Sequence, residues 1–146
     1  ITGNPNYEAQ VHQVMTEKRF RKFSTMIDDL PDVEIIGDKD AEIGIATWGS
    51  TLGAVLEGME IARQSGVTSK LIKSMMIHPQ REDSFREFFA SCKKVIVPEM
   101  NFQGQYAALL KSRYNITPVE LHLQSVDPVS PSNIAQTILE VHNELL

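Results

Sequence analysis

Five residues, Gly49-Ser50-Thr51-Leu52-Gly53, stand between a β-type segment and a helical one and form the first pattern that could do chemistry. Backbone N–H groups at such a turn, together with two hydroxyls, can hold a phosphate against the positive end of a helix dipole. Small residues also let a strand turn tightly into its helix, with Ser50 or Thr51 as the N-cap. The stretch lacks the further glycines of a dinucleotide-binding motif and the lysine of a P-loop. This favours a tight strand-to-helix turn over a phosphate-binding site.

A second polar stretch, residues 99–105, follows a buried apolar run and enters another helix. The carboxyl ends of parallel strands form the edge of a sheet at which ligand sites and interfaces collect. Amide side chains such as those of Asn101 and Gln105 can hydrogen-bond the backbone of a neighbouring loop or subunit. Local capping of the helix that follows is an equally good interpretation of these residues.

Other candidates for chemistry are weaker. The four histidines have no partners at metal-ligand spacing, and the single cysteine, Cys92, can build neither a disulfide nor an iron–sulfur site. Lys18-Arg19-Phe20-Arg21-Lys22 is the one basic cluster, and it could dock an acidic surface or form a solvated helix face. From the residues alone, we therefore expect no metal site, and no catalytic group declares itself.

The elements that position residues 49–53 and 99–105 follow from the alternation of helical and β-type patterns along the chain. Residues 7–29 have apolar side chains at helical spacing, and Pro31 ends that pattern. Later helices alternate with strands, which we predict at residues 33–36, 41–48, 70–77, 94–98 and 119–123. Strands that alternate with such helices pair in parallel.

The first predicted strand should be the exception. About five residues join it to the second strand, which is too few for a parallel crossover, so we expect this pair to be antiparallel. The sequence thus predicts an α/β fold with three layers, α/β/α, around a five-stranded mixed sheet whose first strand is antiparallel.

The composition excludes several classes of function. The 146 residues are 42% hydrophobic with a net charge of −5, which suits one globular domain and disfavours nucleic-acid binding, because phosphate neutralisation needs a clustered basic surface. No apolar run is long enough to span a membrane. One cysteine and no disulfide favour a reducing cytoplasm. Since residues 1–5 contain neither a start methionine nor a signal peptide, we expect the chain to be part of a longer gene product.

Three motifs in the chain follow one another in a set order: His12-x-x-Met15-x-x-Lys18-Arg19-x-x-Lys22, Gly49-Ser50-Thr51-x-Gly53-Ala54-x-x-Glu57-Gly58, and Glu99-x-Asn101-x-x-Gly104-Gln105. Together they resemble the alpha subunit of 2-oxoacid:ferredoxin oxidoreductases of the 2-oxoglutarate-like type, in which the first motif is a linker helix. Order and spacing agree over nearly the whole chain. One departure is Gly58, where that family usually has Ala.

The resemblance implies a transketolase C-terminal-like domain at residues 31–146. It also implies a linker helix at 1–30 that leads in from an N-terminal domain missing from this sequence. Enzymes of this family decarboxylate a 2-oxoacid oxidatively with thiamine diphosphate and Mg²⁺, form an acyl-coenzyme A, and pass electrons through iron–sulfur clusters to ferredoxin.

In that family the beta subunit binds the diphosphate and magnesium, and the alpha subunit's N-terminal domain binds the aminopyrimidine. The resemblance therefore implies that this fragment binds no cofactor and is inactive alone. Its implied partners are the beta subunit, the rest of the alpha subunit and, through the complex, ferredoxin, with no nucleic acid and no membrane. Interface or active-site-edge roles are implied for Lys18, Arg19, Gly49, Ser50, Thr51, Asn101, Gly104 and Gln105.

Two alternatives stay open. A free-standing flavodoxin-like domain that binds a phosphate or nucleotide would rely on residues 49–53. A homodimeric assembly module would need no ligand at all.

Overall fold

The computed structural model describes residues 3–124 and 127–146, and the chain divides into two compact units, Ile1–Asp32 and Val33–Leu146. The first unit contains a short lead-in segment and helix α1 (Ala9–Asp29). No residue of α1 is buried, and Phe20, 68% exposed, contacts Phe23 edge to face. No helix in the described ranges is both long enough and apolar enough to cross a membrane.

The second unit has an α/β fold. Its elements are β1 (Glu34–Gly37), β2 (Ile43–Trp48), a 3₁₀ turn (Gly49–Thr51), α2 (Leu52–Gln64), β3 (Lys70–Ser74), α3 (Glu82–Ala90), β4 (Lys94–Glu99), α4 (Gln105–Tyr114), β5 (Val119–His122) and α5 (Pro131–Leu145). The strands lie in the order β1-β3-β2-β4-β5, with β1 antiparallel to β3 and the other pairs parallel. The predicted five-stranded mixed sheet with an antiparallel first strand is confirmed.

The predicted neighbour of β1 is wrong. β1 runs opposite to β2 as expected, but it pairs with β3, with Ile36 beside Leu71, and β3 lies between β1 and β2. The connection of about five residues can span about 17 Å when it is extended. The distance from β1 to β2 across the intervening β3 is two strand spacings, only about 9.6 Å. The short connection therefore crosses the end of β3. The prediction for β3 itself was too long, because the Ser74 hydroxyl donates to the Met76 carbonyl at 2.5 Å and turns the chain there.

Each face of the sheet carries its own apolar core. Helices α2 and α5 cover one face through a cluster that includes Val55, Ile134 and Ile138, all fully buried. Helices α3 and α4 cover the other face, where Phe85, Phe88 and Leu110 are buried against Ala46, Ile72 and Val97. Since burying one large apolar side chain contributes about 1.5–3 kcal/mol, these two clusters account for the stability of the three layers.

At Gly58, helix α2 packs tightly against α5. A Cβ at this position would lie 2.8 Å from the Cβ of Ile134 and 2.8 Å from the carbonyl oxygen of Pro131. Real Cβ atoms do not come this close to backbone or branched side chains, so an alanine would push the two helices apart. The departure from the family's Ala at this position therefore has a packing reason.

Lys70 opens β3 with a buried ammonium group, only 3% of the residue being exposed. Its Nζ donates to the carbonyl oxygens of Lys39 at 3.1 Å and Ser91 at 3.0 Å. These hydrogen bonds satisfy a charge that would otherwise be costly to bury. They join the β1–β2 connection and the end of α3 to the start of β3.

Candidate functional site

A crevice opens between the carboxyl ends of β2 and β4. From β2 the chain passes through α2 to β3, which lies next to β2 on one side. It then passes through α3 to β4, which lies next to β2 on the opposite side. Open α/β sheets bind ligands at such a reversal of strand order. The crevice has a volume of about 360 Å³ and is lined by Trp48, Ser50, Thr51, Pro98, Glu99, Met100, Asn101 and Gln105. Four of the residues named from the sequence thus come together here.

Glu99, at the end of β4, is the charged residue that lines the crevice, and only 2% of it is exposed. Its Oε1 accepts hydrogen bonds from the Asn101 amide at 2.6 Å and the Tyr106 N–H at 2.8 Å. Its Oε2 accepts the Ala107 N–H at 2.9 Å. The carboxylate therefore caps the first turn of α4, at the positive end of the helix dipole. Sequence reasoning missed this role.

Asn101 and Gly104 complete the same cap. The Asn101 Oδ1 accepts the Gln105 N–H at 3.1 Å, so the amide side chain is engaged at both ends. Gly104 has φ +61°, and a Cβ there would lie 2.8 Å from Oε2 of Glu120. For Asn101, the structure therefore adopts the local capping that the sequence left open. The side chain of Gln105 is exposed, and its amide makes no hydrogen bond to any described residue.

The turn after β2 uses its polar groups differently. The hydroxyls of Thr47 and Thr51 lie 2.5 Å apart, and Thr51 also donates to the Trp48 carbonyl at 2.9 Å. Thr51 occupies the N-cap position of α2, but its side chain makes no capping hydrogen bond. Gly49 takes the left-handed conformation, with φ +64°. Ser50 is exposed, and its hydroxyl has no partner among the described residues.

Trp48 forms an apolar wall of the crevice. Its ring meets Tyr106 of α4 edge to face, with 6.3 Å between ring centroids. The Tyr106 hydroxyl accepts a hydrogen bond from the Gln80 amide at 3.3 Å. Burial raises the pKa of that hydroxyl, and hydrogen bonds with Ser74 and Gln80 offset only part of the rise. Trp48 therefore packs against Tyr106, a neutral aromatic residue of α4 that the hydrogen bond from Gln80 holds in place.

The basic residues Lys18 and Arg19 lie on α1, in the first unit, and both are exposed. Arg19 also lines a cavity of about 390 Å³ that α1 forms with the lead-in segment, including Tyr7 and His12.

The crevice does not supply a ligand set for a diphosphate or a metal. None of the residues that line it is lysine, arginine or histidine, and its one carboxylate already accepts three hydrogen bonds. Over the described ranges, no group of three His, Cys, Asp or Glu side chains converges on a metal position. Burial raises the pKa of the Cys92 thiol, which disfavours the thiolate that metals bind. The residues present therefore do not fit thiamine diphosphate, Mg²⁺ or an iron–sulfur cluster.

Comparisons with known proteins identify relatives of the chain. No protein-family model matches it. The alpha subunit of 2-oxoacid:ferredoxin oxidoreductase 2 from Aeropyrum pernix is 32% identical over 119 residues, which are 80% of this chain and 18% of that protein. The chain spans less than a fifth of the length of the first curated relatives that it matches.

Solved structures agree with that relationship. The 2-oxoglutarate:ferredoxin oxidoreductase from Magnetococcus marinus, with 2-oxoglutarate, coenzyme A and succinyl-CoA bound, superposes with a TM-score of 0.81 at 36% identity. The match covers 95% of this chain and 24% of that chain. A split-gene transketolase in an inactive beta4 tetramer has a TM-score of 0.58 at 12% identity, over 75% of this chain and 40% of that one, and shows the fold alone. The chain is therefore homologous to a segment of the alpha subunits of 2-oxoacid:ferredoxin oxidoreductases, and it has a transketolase C-terminal-like fold.

Proposed function

We propose that this chain is a non-catalytic domain of a 2-oxoacid:ferredoxin oxidoreductase, where it serves subunit assembly and forms one edge of the active site. In the complete complex, thiamine diphosphate, Mg²⁺, iron–sulfur clusters and coenzyme A belong to other parts. The partners are the remainder of the alpha subunit, the beta subunit and, through the complex, ferredoxin. In this proposal, residues 1–30 form the linker helix, residues 31–146 form the domain, and the location is cytoplasmic.

The observation that carries the proposal is the state of the polar groups in the crevice. The Glu99 carboxylate is buried and already accepts three hydrogen bonds, so it is not available as a general acid or base. The groups that stay open, the Ser50 hydroxyl and the Gln105 amide, are neutral. Neutral donors and acceptors beside an exposed tryptophan suit contact with another polypeptide rather than chemistry.

Interface or site-edge roles are accordingly proposed for both units. On α1, Lys18 and Arg19 face a neighbouring domain, since an exposed basic pair fits an acidic surface. In the crevice, Ser50 and Gln105 contact the partner directly. The remaining members of the set act through the shape of the two turns that hold these side chains: Gly49, Thr51, Asn101 and Gly104.

A free-standing flavodoxin-like binder of a phosphate or nucleotide is the second candidate. The position of the crevice at the reversal of strand order favours it. The electrostatics oppose it, because a phosphate there would meet a buried carboxylate and no lysine or arginine of the lining.

Two experiments test these proposals. Isothermal titration calorimetry of the chain with thiamine diphosphate, coenzyme A, flavin mononucleotide and ATP should show no tight binding, whereas tight binding of the flavin or ATP would support the second candidate. The chain should also restore 2-oxoacid-dependent ferredoxin reduction when it is added to the beta subunit and a separately expressed remainder of the alpha subunit. Equal turnover with and without the chain would contradict the first proposal.

Variants at the crevice refine the second experiment. Gln105→Ala and Ser50→Ala should weaken that reconstitution without lowering the melting temperature of the chain alone. A loss of stability equal to the loss of assembly would instead assign both residues a structural role.

A further inference from the structure

Exposed apolar side chains of the second unit concentrate at one edge of the sheet. Four large ones lie at or just beyond the carboxyl ends of β2, β3 and β4: Trp48, Met75, Met100 and Phe102. Met75 and Phe102 are 73% and 76% exposed. We call these four residues the strand-end surface. Such a concentration marks an interaction site more often than scattered apolar residues do.

Trp48 stands at the centre of this surface, because it lines two cavities. One is the crevice, which also contains Met100. The other has a volume of about 190 Å³ and lies between the ends of β2 and β3, where Leu52 and Met75 contribute to its lining. The contact with Tyr106 holds the indole ring in place between the two cavities. A pre-positioned tryptophan with a pocket on either side is the arrangement that anchors protein interfaces.

The two charged groups that line this surface are already engaged, one in an ion pair and the other in hydrogen bonds. Lys73, the cation that lines the smaller cavity, forms an ion pair with Glu34 at 3.1 Å. In the crevice, Glu99 accepts three hydrogen bonds from α4 and its entry loop. The matching partner therefore brings apolar side chains and backbone amide groups, and it brings no charge.

The length of the relatives indicates where this partner comes from. The matched chain of the Magnetococcus marinus structure is about four times as long as the segment that this chain covers, which is 24% of it. That polypeptide thus includes ample sequence outside the matched segment that could cover the corresponding surface.

We propose that the strand-end surface docks a neutral, apolar segment of the alpha-subunit polypeptide that lies outside this chain, with two of its side chains placed on either side of Trp48. This inference rests on the proposed function, and it adds an occupant and the residues that hold it.

The single tryptophan of the chain gives a direct readout. The chain is labelled with 5-fluorotryptophan and titrated with the separately expressed remainder of the alpha subunit, while ¹⁹F NMR follows the one resonance and sedimentation velocity measures association independently. The resonance should shift on binding. Met75→Glu and Phe102→Glu should each weaken binding at least tenfold, because each places a charge in the contact, and both side chains are exposed enough to leave folding intact. Ile35→Glu is the matched control, since Ile35 is 43% exposed on β1 and lines neither cavity, and it should change affinity less than twofold.

The possible outcomes separate the two proposals. If the chain binds but both variants behave like Ile35→Glu, or the resonance does not move, docking at the strand-end surface is wrong while the proposed function stands. If the chain alone forms a dimer that Met75→Glu and Phe102→Glu disrupt, the occupant is a second copy and the inference is wrong. If the chain neither binds the remainder of the alpha subunit nor restores turnover, both proposals fail.

Discussion

The two strand-to-helix turns that border the crevice use similar residue types in opposite ways. After β4, Glu99 and Asn101 direct their polar atoms inward and satisfy the first three N–H groups of α4. After β2, α2 begins without a side-chain cap, and the Ser50 hydroxyl has no partner in the described part of the chain. The turn after β4 therefore uses its polar side chains to stabilise the helix that follows, whereas the turn after β2 leaves one hydroxyl, that of Ser50, available. Both turns lie at the carboxyl edge of the sheet, so that position alone does not show whether a polar side chain caps a helix or stays available for a partner.

Glu99→Gln tests the first half of this comparison and should have the largest effect. The amide replaces one acceptor oxygen with a donor that faces a backbone N–H, which leaves a buried group unsatisfied and removes a negative charge from the start of α4. We expect the free energy of unfolding to fall by about 2–3 kcal/mol, measured by urea denaturation. Glu57→Gln, at an exposed position on α2, is the control and should change stability by less than about 0.5 kcal/mol. Equal effects would show that the carboxylate does not stabilise the turn.

The glycines of the two turns provide the second test. Gly104→Ala forces a side chain into a left-handed conformation beside Glu120, which should cost about 1–2 kcal/mol. Gly53→Ala meets no atom within 4 Å. It should stabilise α2 by up to about 1 kcal/mol, because alanine is the better helix former. Thermal unfolding of both variants should shift in opposite directions, and shifts of the same sign would contradict the contrast.

Asn101→Ala and Ser50→Ala compare the polar groups directly. Loss of the Asn101 side chain removes the acceptor of the Gln105 N–H and a donor to Glu99, so stability should fall by about 1 kcal/mol. Ser50→Ala removes an exposed hydroxyl and should stay within about 0.5 kcal/mol of the wild type. Should Ser50→Ala prove the more destabilising, the roles of the two turns would have to be exchanged.

The smallest effect concerns pH and the tyrosine on which Trp48 rests. Burial raises the pKa of Tyr106, and of Tyr114, above the ordinary value of about 10, so the unfolded chain ionises first. Their stabilising contribution is complete below about pH 10 and is lost as the pH rises further. Tyr106→Phe should therefore flatten the alkaline decline in unfolding free energy. Tyr7→Phe, at a side chain that is 98% exposed, should leave the decline unchanged, and an equal flattening by both would refute the assignment.

Sequence reasoning reached the fold because the fold depends on local patterns. Periodicity located the helices and strands, and the short link after β1 fixed the direction of that strand. The neighbour of β1 was missed, since a link of about five residues can reach either an adjacent strand or the next but one.

The site was predicted only as a location. Ser50, Thr51, Asn101 and Gln105 do meet in one crevice. The role of Glu99 was not visible, because its partners are backbone groups seven and eight residues further along the chain, in a helix whose placement depends on tertiary packing. The exposure of Trp48 was equally hidden, since hydropathy predicts burial for a tryptophan at the end of an apolar strand.

The buried amino group of Lys70 can report local unfolding at the start of β3. An amine attacks an acylating reagent through its lone pair, and the Lys70 amino group donates to two carbonyls and is shielded from solvent. Exposed lysines such as Lys18 will be acetylated faster than Lys70, which will react only after the start of β3 has separated from Lys39 and Ser91. Its labelling rate, read by mass spectrometry, will therefore measure the frequency of that opening.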